Sequence, residues 1–278
     1  MLLMQKLSAT LLLCANVFAA SDAEVLAYLK KGIASNVNVS NVEVNINGKK
    51  EVPSMKGWQA YFVAIEADVK QAAETRHINQ NGTYFISGDT LAAELVNLKT
   101  GERYNDTLAP DFPKQFYTKA NLISGSLNSK YKVAIFSDPL CPFCRRYVPE
   151  ALSYMQKYPA VFGVYYFHYP LPTLHPAAVT LTKAAIAAEQ SGMDNVTLRL
   201  YTVDVNANEK DDGKILDAFN KTFKTSFGLA DIRRPSVLKQ FELDQKVAQI
   251  AMVSGTPTVF FQGKKDPTKN KYKEIKVK

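Results

Sequence analysis

Cysteine, histidine and tryptophan are all scarce in this chain: three, three and one among 278 residues. The shortage excludes most metal chemistry. Tetrahedral zinc takes four ligands, usually cysteine and histidine, and Cys14, Cys141, Cys144, His77, His168 and His175 are scattered apart from a single pair. Covalent haem attachment requires a histidine directly after the second cysteine of a C-x-x-C pair, and Arg145 stands there. No long block of like charge occurs, although 34 Lys and Arg exceed 26 Asp and Glu, so no nucleic-acid partner is expected. After residue 20 no segment supplies the roughly eighteen uncharged apolar residues of a membrane span. What remains is globular in composition, with 13 Gly, 13 Pro, 46% hydrophobic and 22% charged residues, and long enough for two domains.

Residues 1–20, MLLMQKLSATLLLCANVFAA, read as a cleavable export signal. Lys6 gives the positive start, Leu7 to Ala15 the short apolar stretch, and Val17 and Ala19 the small-residue cleavage pattern, with cutting after Ala19 or Ala20. Cys14 is not expected to carry a lipid, because the preceding Leu13 is bulky. The mature chain, residues 21–278, is then a soluble exported protein whose only thiols are Cys141 and Cys144. A stabilising disulfide gains by closing a long loop. A two-residue loop constrains almost nothing, so the pair calls for a chemical explanation.

Residues 21–108 predict a compact α+β module. Val25, Leu26 and Leu29 are spaced for a helix over 22–34, the alternating VNVSNVEVNIN from Val37 reads as a strand, and Gly57 to Val69 as another. An Asn-Gly turn at Asn81 and Gly82 should lead into a strand at Thr83 to Ile86, and Leu91 to Leu98 should extend the sheet or form one helical turn. The module holds no nucleophile, metal cluster or glycine-rich phosphate loop. Residues 109–129 read as a linker with a short helix around Gln115 to Leu122. In residues 130–278 a strand at Tyr131 to Ser137 runs through Asp-Pro-Leu into CPFC and a helix, followed by a buried strand at Val161 to Tyr169. A helical stretch from Pro176 to Met252 and a strand over Thr256 to Gln262 come next. After a turn at Gly263, Tyr272, Ile275 and Val277 break the final lysine run as a terminal strand with a charged edge would.

The chemistry centres on CPFC. A helix beginning inside the motif leaves its first amides unsatisfied and places the positive end of its dipole beside Cys141, which favours thiolate there. Cys141 is the attacking sulfur. Cys144, one turn later, points inward and can resolve a mixed disulfide by attacking Cys141. Pro142 suits the first helical turn, since it has no amide hydrogen to satisfy. Arg145 and Arg146 are expected on a solvated helix face, and His168 and His175 at a strand end and a helix start. In SGTPTVFF, residues 254–261, a proline heading a strand after glycine and threonine predicts a cis Thr256-Pro257 bond that holds Thr256 against the cysteines. The backbone there can pair with an extended client segment. The Thr256 hydroxyl is expected to face Cys141 and donate to its thiolate.

Strand, helix, strand, helices and a proline-led hairpin follow the order of a thioredoxin fold. With FSDPLCPFC and the Gly255-Thr256-Pro257 turn, the mature chain resembles the periplasmic DsbC/DsbG family of thiol:disulfide interchange proteins. The N-terminal likeness, through GWQAYFVAIE, NGTYFISGD and LVNLKTGERY, is looser. The resemblance implies a cystatin-like dimerisation domain, a helical linker and a thioredoxin-fold catalytic domain with a helical insertion. It implies Cys141 as nucleophile, Cys144 as resolving thiol, and Pro142, Phe143, Thr256 and Pro257 in contact with substrate. It further implies no cofactor beyond the redox-active Cys141–Cys144 disulfide, misoxidised or unfolded exported proteins as clients, and a homodimer in the periplasm. Isomerisation or reduction, maintained by a membrane partner of the DsbD type, is the first reading. A DsbA-like oxidase recharged by a DsbB-type partner stays open, because Pro-Phe between the cysteines differs from the Gly-Tyr of the isomerase. A chaperone with incidental cysteines is the third.

Overall fold

The structure, a computed structural model, describes residues 20–72 and 74–277. The export-signal reading of 1–20 lies outside the described residues except for Ala20. Helix α1 (Asp22–Ala34) starts at Ser21, whose hydroxyl accepts from the Glu24 amide while the Glu24 carboxylate accepts from the Ser21 amide. An antiparallel sheet follows, β1 (Val39–Glu51), β2 (Gln59–Gln71), β3 (Glu74–Ser87) and β4 (Thr90–Ala92), in that order across the sheet. The apolar run at the head of β2 has a simple cause. Tyr61 and Val63 pack under Val25 and Leu29 of α1, while Ala60 and Phe62 pack on the opposite face with Val52, Phe85 and Tyr104, so β2 is buried on both sides.

The expected turn at Asn81-Gly82 is not one. Both residues lie inside β3, opposite Ala64 and Val63, and the hairpin turns between Gln71 and Glu74, with Ala72 at φ 54°. Long pairing with β2 overrides the local turn preference of Asn-Gly. The asparagines serve instead as contacts: Asn81 Nδ2 donates to the Gln249 carbonyl at 3.1 Å, and Gln249 Nε2 donates to Asn79 Oδ1 and to Glu66 Oε1. Beyond β4 the chain makes a bridge between Val96 and Arg103 and a short helix, α2 (Tyr104–Thr107).

The short helix expected near Gln115 to Leu122 is two 3-10 turns, Lys114–Phe116 and Lys119–Asn121, followed by β5 (Leu122–Ser124). Aromatic packing sets this path. Phe112 inserts its ring among Phe136, Phe167 and Phe260, with centroids at 6.0, 5.4 and 5.5 Å. Gly125, at φ +80°, ends β5 so close to β7 that a Cβ would lie 2.1 Å from the Phe162 carbonyl oxygen.

Next come β6 (Tyr131–Ser137), α3 (Pro142–Met155) and β7 (Phe162–His168); unlike the strands of the antiparallel first sheet, β6 and β7 run parallel. Helices α4 (Ala177–Gln190), α5 (Val196–Leu200), α6 (Asp212–Phe223), α7 (Leu229–Ile232) and α8 (Pro235–Ile250) fill the stretch expected to be helical. Strands β8 (Thr258–Phe261) and β9 (Lys264–Lys265) complete a sheet ordered β5-β7-β6-β8-β9. The expected terminal strand does not form. Buried Asp266 accepts from the amides of Thr268 and Lys271 and turns the chain into a 3-10 helix, Lys271–Glu274, that buries Tyr272 beside Tyr154 of α3.

Candidate active site

Strand β6 delivers the chain to the site. Its last residue, Ser137, is fully buried, and Asp138, also fully buried, organises the bend that follows. Asp138 Oδ1 accepts from the amides of Leu140 (2.7 Å) and Cys141 (3.2 Å), whereas Oδ2 accepts from the Leu171 amide (2.8 Å) and lies 3.0 Å from His175 Nδ1. One carboxylate therefore joins the bend before CPFC to the loop after β7. Cys141 then occupies the N-cap of α3 with extended backbone, and Pro142 takes the first helical position.

The Cys141 sulfur is 3.5 Å from the carbonyl oxygen of Thr256, to which the thiol donates, and the Thr256-Pro257 peptide bond is cis. The structure thus brings Cys141, Pro142, Cys144, Thr256 and Pro257 to one place. It corrects one detail: the carbonyl of Thr256, not its hydroxyl, meets Cys141, and the hydroxyl is buried without a hydrogen-bond partner. Phe143 projects outward, 68% exposed, on the rim of a shallow cleft of about 470 Å³ that Arg146, Tyr147, Thr256, Pro257 and Lys269 also line.

Cys144 is a different thiol. It is fully buried, and burial pushes it up to about 12 against the opposing pull of the Ser137 hydroxyl and the Asp138 backbone. Behind it, Ser137 Oγ and Tyr201 Oη are 2.6 Å apart, as are Tyr201 Oη and Tyr166 Oη. Burial holds both phenols well above their ordinary range. Arg145 is not a solvated residue: its Nε donates to the Pro139 carbonyl at 3.0 Å and its Nη2 to the Val203 carbonyl at 2.8 Å, tying α3 to the chain just after α5. Arg146 is exposed, as expected.

A thioredoxin family model matches residues 117–277. The chain belongs to the thioredoxin family. No curated protein matches it. Among solved structures, the chain is similar to Proteus mirabilis ScsC in a compact conformation, at 20% identity, TM-score 0.44, 55% of this chain and 74% of that one. It is similar too to oxidised BdbD from Bacillus subtilis, at 14% identity, TM-score 0.47, 60% of this chain and 93% of that one. A thioredoxin-like oxidoreductase from Silicibacter pomeroyi is 21% identical, with TM-score 0.45, over 57% of this chain and 91% of that one.

Of the cleft lining, sequence reasoning named Phe143, Thr256 and Pro257; it missed Tyr147 and Lys269 there, and the residues behind Cys144. Asp138 carried a readable signal, an aspartate whose side chain can accept amides two and three residues on. Tyr201 carried none, since it reaches Ser137 from the helical insertion, 64 residues away in sequence.

Proposed function

We infer that the protein performs thiol–disulfide exchange on exported proteins in the periplasm, isomerising or reducing non-native disulfides through Cys141 and Cys144. The observation that carries this reading is the placement of the Cys141 sulfur, at a helix N-cap and 3.5 Å from the carbonyl of Thr256 beside a cis proline. An extended client can align along the Ser254–Thr256 backbone while Phe143 offers it an apolar rim.

The chemistry needs no further group. The Cys141 thiolate attacks one sulfur of a client disulfide, forming a Cys141–client disulfide and releasing the other client sulfur as thiolate, which takes up a proton. Attack by another client thiol regenerates Cys141 and leaves a rearranged client disulfide, with no net electron transfer. Attack by Cys144 instead releases the client as dithiol and leaves Cys141–Cys144 oxidised, two electrons having passed to the client. A membrane partner of the DsbD type would then return the pair to dithiol. The resemblance of FSDPLCPFC to the DsbC/DsbG motif supports this use, together with dimerisation through a cystatin-like module at residues 21–108, which would place two clefts across from each other and hold a client at high effective concentration.

Trapping the thiols in cells with an alkylating reagent tests the direction of use: a reduced Cys141–Cys144 pair is expected, and a mainly oxidised pair assigns the protein to DsbA-like oxidation with a DsbB-type partner. Light scattering on the mature protein tests the dimer. A monomer there overturns it.

A further inference from the structure

Cys144 must lose its proton to attack the Cys141–client disulfide, yet it is enclosed among Val148, Leu152, Tyr166 and Tyr201 with no ionised side chain hydrogen-bonded to it among the described residues. What does lie against it is a row of hydroxyls. Ser137 and Ile135 share a face of β6 by strand alternation, and Ile135 pairs across with Tyr166 of β7, so Ser137 and Tyr166 belong to the face on which α3 packs Cys144. Tyr201, at the C-cap of α5, closes the gap between them with two 2.6 Å contacts.

Proton counting gives this row a preferred state. Ser137, Tyr201 and Tyr166 have no other side-chain hydroxyl partners among the described hydrogen bonds. With Cys144 as a thiol facing Ser137, four hydrogens share the two 2.6 Å contacts and the approach of Ser137 to sulfur, and one hydrogen, on sulfur or on Tyr166, is left without an acceptor. With Cys144 as a thiolate, Tyr166 donates to Tyr201, Tyr201 to Ser137, and Ser137 to the sulfur; every hydrogen is used. Buried donors left unpaired are costly, and aligned hydrogen bonds strengthen one another.

We propose that the Ser137–Tyr201–Tyr166 hydroxyl chain stabilises the Cys144 thiolate during resolution, with Ser137 donating directly to sulfur and the two tyrosines positioning and polarising it. The helical insertion thereby takes part in the chemistry by supplying Tyr201. The inference rests on the proposed exchange reaction. In the step concerned, the Cys144 S–H bond breaks, a Cys144–Cys141 disulfide forms, the Cys141–client disulfide breaks, and the proton leaves with the client thiol or to solvent.

Ellman's reagent separates the two events in one stopped-flow trace. Attack by Cys141 releases a first thionitrobenzoate and leaves a second bound to Cys141; attack by Cys144 releases the second. In the mature protein, Ser137→Ala and Tyr201→Phe should leave the first phase unchanged, slow the second at pH 7 by about tenfold and severalfold respectively, and move the pH midpoint of the second phase upward by up to about one unit. An intact first phase also certifies a folded site. A second phase with unchanged rate and pH profile in both variants overturns the proposal, as does equal slowing of both phases, which would mark the chain as a structural pin. Absence of the first phase from the unsubstituted protein would instead refute the exchange reading itself.

Discussion

Thr256 meets Cys141 through its carbonyl, at 3.5 Å, while its own hydroxyl is buried without a hydrogen-bond partner. A backbone acceptor is insensitive to side-chain replacement. The hydroxyl, by contrast, is unpaired, so removing it takes no hydrogen bond from either thiol.

Thr256→Val is therefore expected to stabilise the protein. It removes a buried unpaired hydroxyl without changing shape, for a gain of about 1 kcal/mol in urea denaturation. The reduction potential against glutathione should stay close to that of the unsubstituted protein. A shift of about 30 mV or more, tenfold in the exchange equilibrium, would show that the hydroxyl acts on the Cys141 thiolate after all.

Loss of the proposed nucleophile should be decisive. Cys141→Ser is expected to lower client reduction by at least about 100-fold, whereas Cys144→Ser should accumulate Cys141–client adducts visible on non-reducing gels. Full activity of Cys141→Ser would favour a chaperone with incidental cysteines.

Asp138 invites a stability test. Both of its oxygens accept from donors in a fully buried bend, so Asp138→Asn must turn an amide N–H₂ toward one set of donors. A loss of about 2–4 kcal/mol is expected in equilibrium unfolding, together with slower first-phase release of thionitrobenzoate. An equally stable variant would show that the bend is held by the surrounding packing alone.

Stability should also fall as pH rises through the mildly acidic range. Burial lifts Asp244 to about 6, so the folded state holds a proton that the unfolded chain gives up near 3.8. His168 works in the same sense: burial opposes its charge, but the charge and hydrogen bond of Glu189 and the charge of Asp244 hold it above its ordinary value. The folded state therefore binds more protons in both windows, between about 4 and 6 for Asp244 and from 6.5 upward for His168. Comparing unfolding free energies at pH 4.5 and 7 with those of Asp244→Asn isolates the first term, expected to be on the order of 2–3 kcal/mol. An unaltered pH slope in the variant would contradict it.

Much of this was legible in the sequence because local pattern and tertiary demand agreed. The α1 span, the β6 strand, the CPFC helix start and the cis bond before Pro257 all rest on short-range rules of spacing and proline geometry. Disagreement came where distant packing decided. Asn81-Gly82 has the local form of a turn, yet β2 is long enough to pair past it. Residues 115–122 resemble a helix, yet Phe112, Phe116 and Tyr117 are drawn onto the sheet. The lysine-rich end alternates like a strand, yet Asp266 gathers its amides into a turn. Tyr201 and Ser137 become neighbours only when the insertion folds back over β6.

The ring of Phe112 decides where the polypeptide can be cut. Family likeness begins at residue 117, but the fold begins earlier, since Phe112 fills the space among Phe136, Phe167 and Phe260 from the far side of Pro113. A fragment starting at 117 would leave a hole the size of a phenyl group in the middle of its own sheet, a loss of about 3–5 kcal/mol, comparable to the whole stability of many small domains. A protease that clips at Lys114 would detach this plug even though Cys141, Cys144, the cis proline and the hydroxyls behind Cys144 remained on the larger piece.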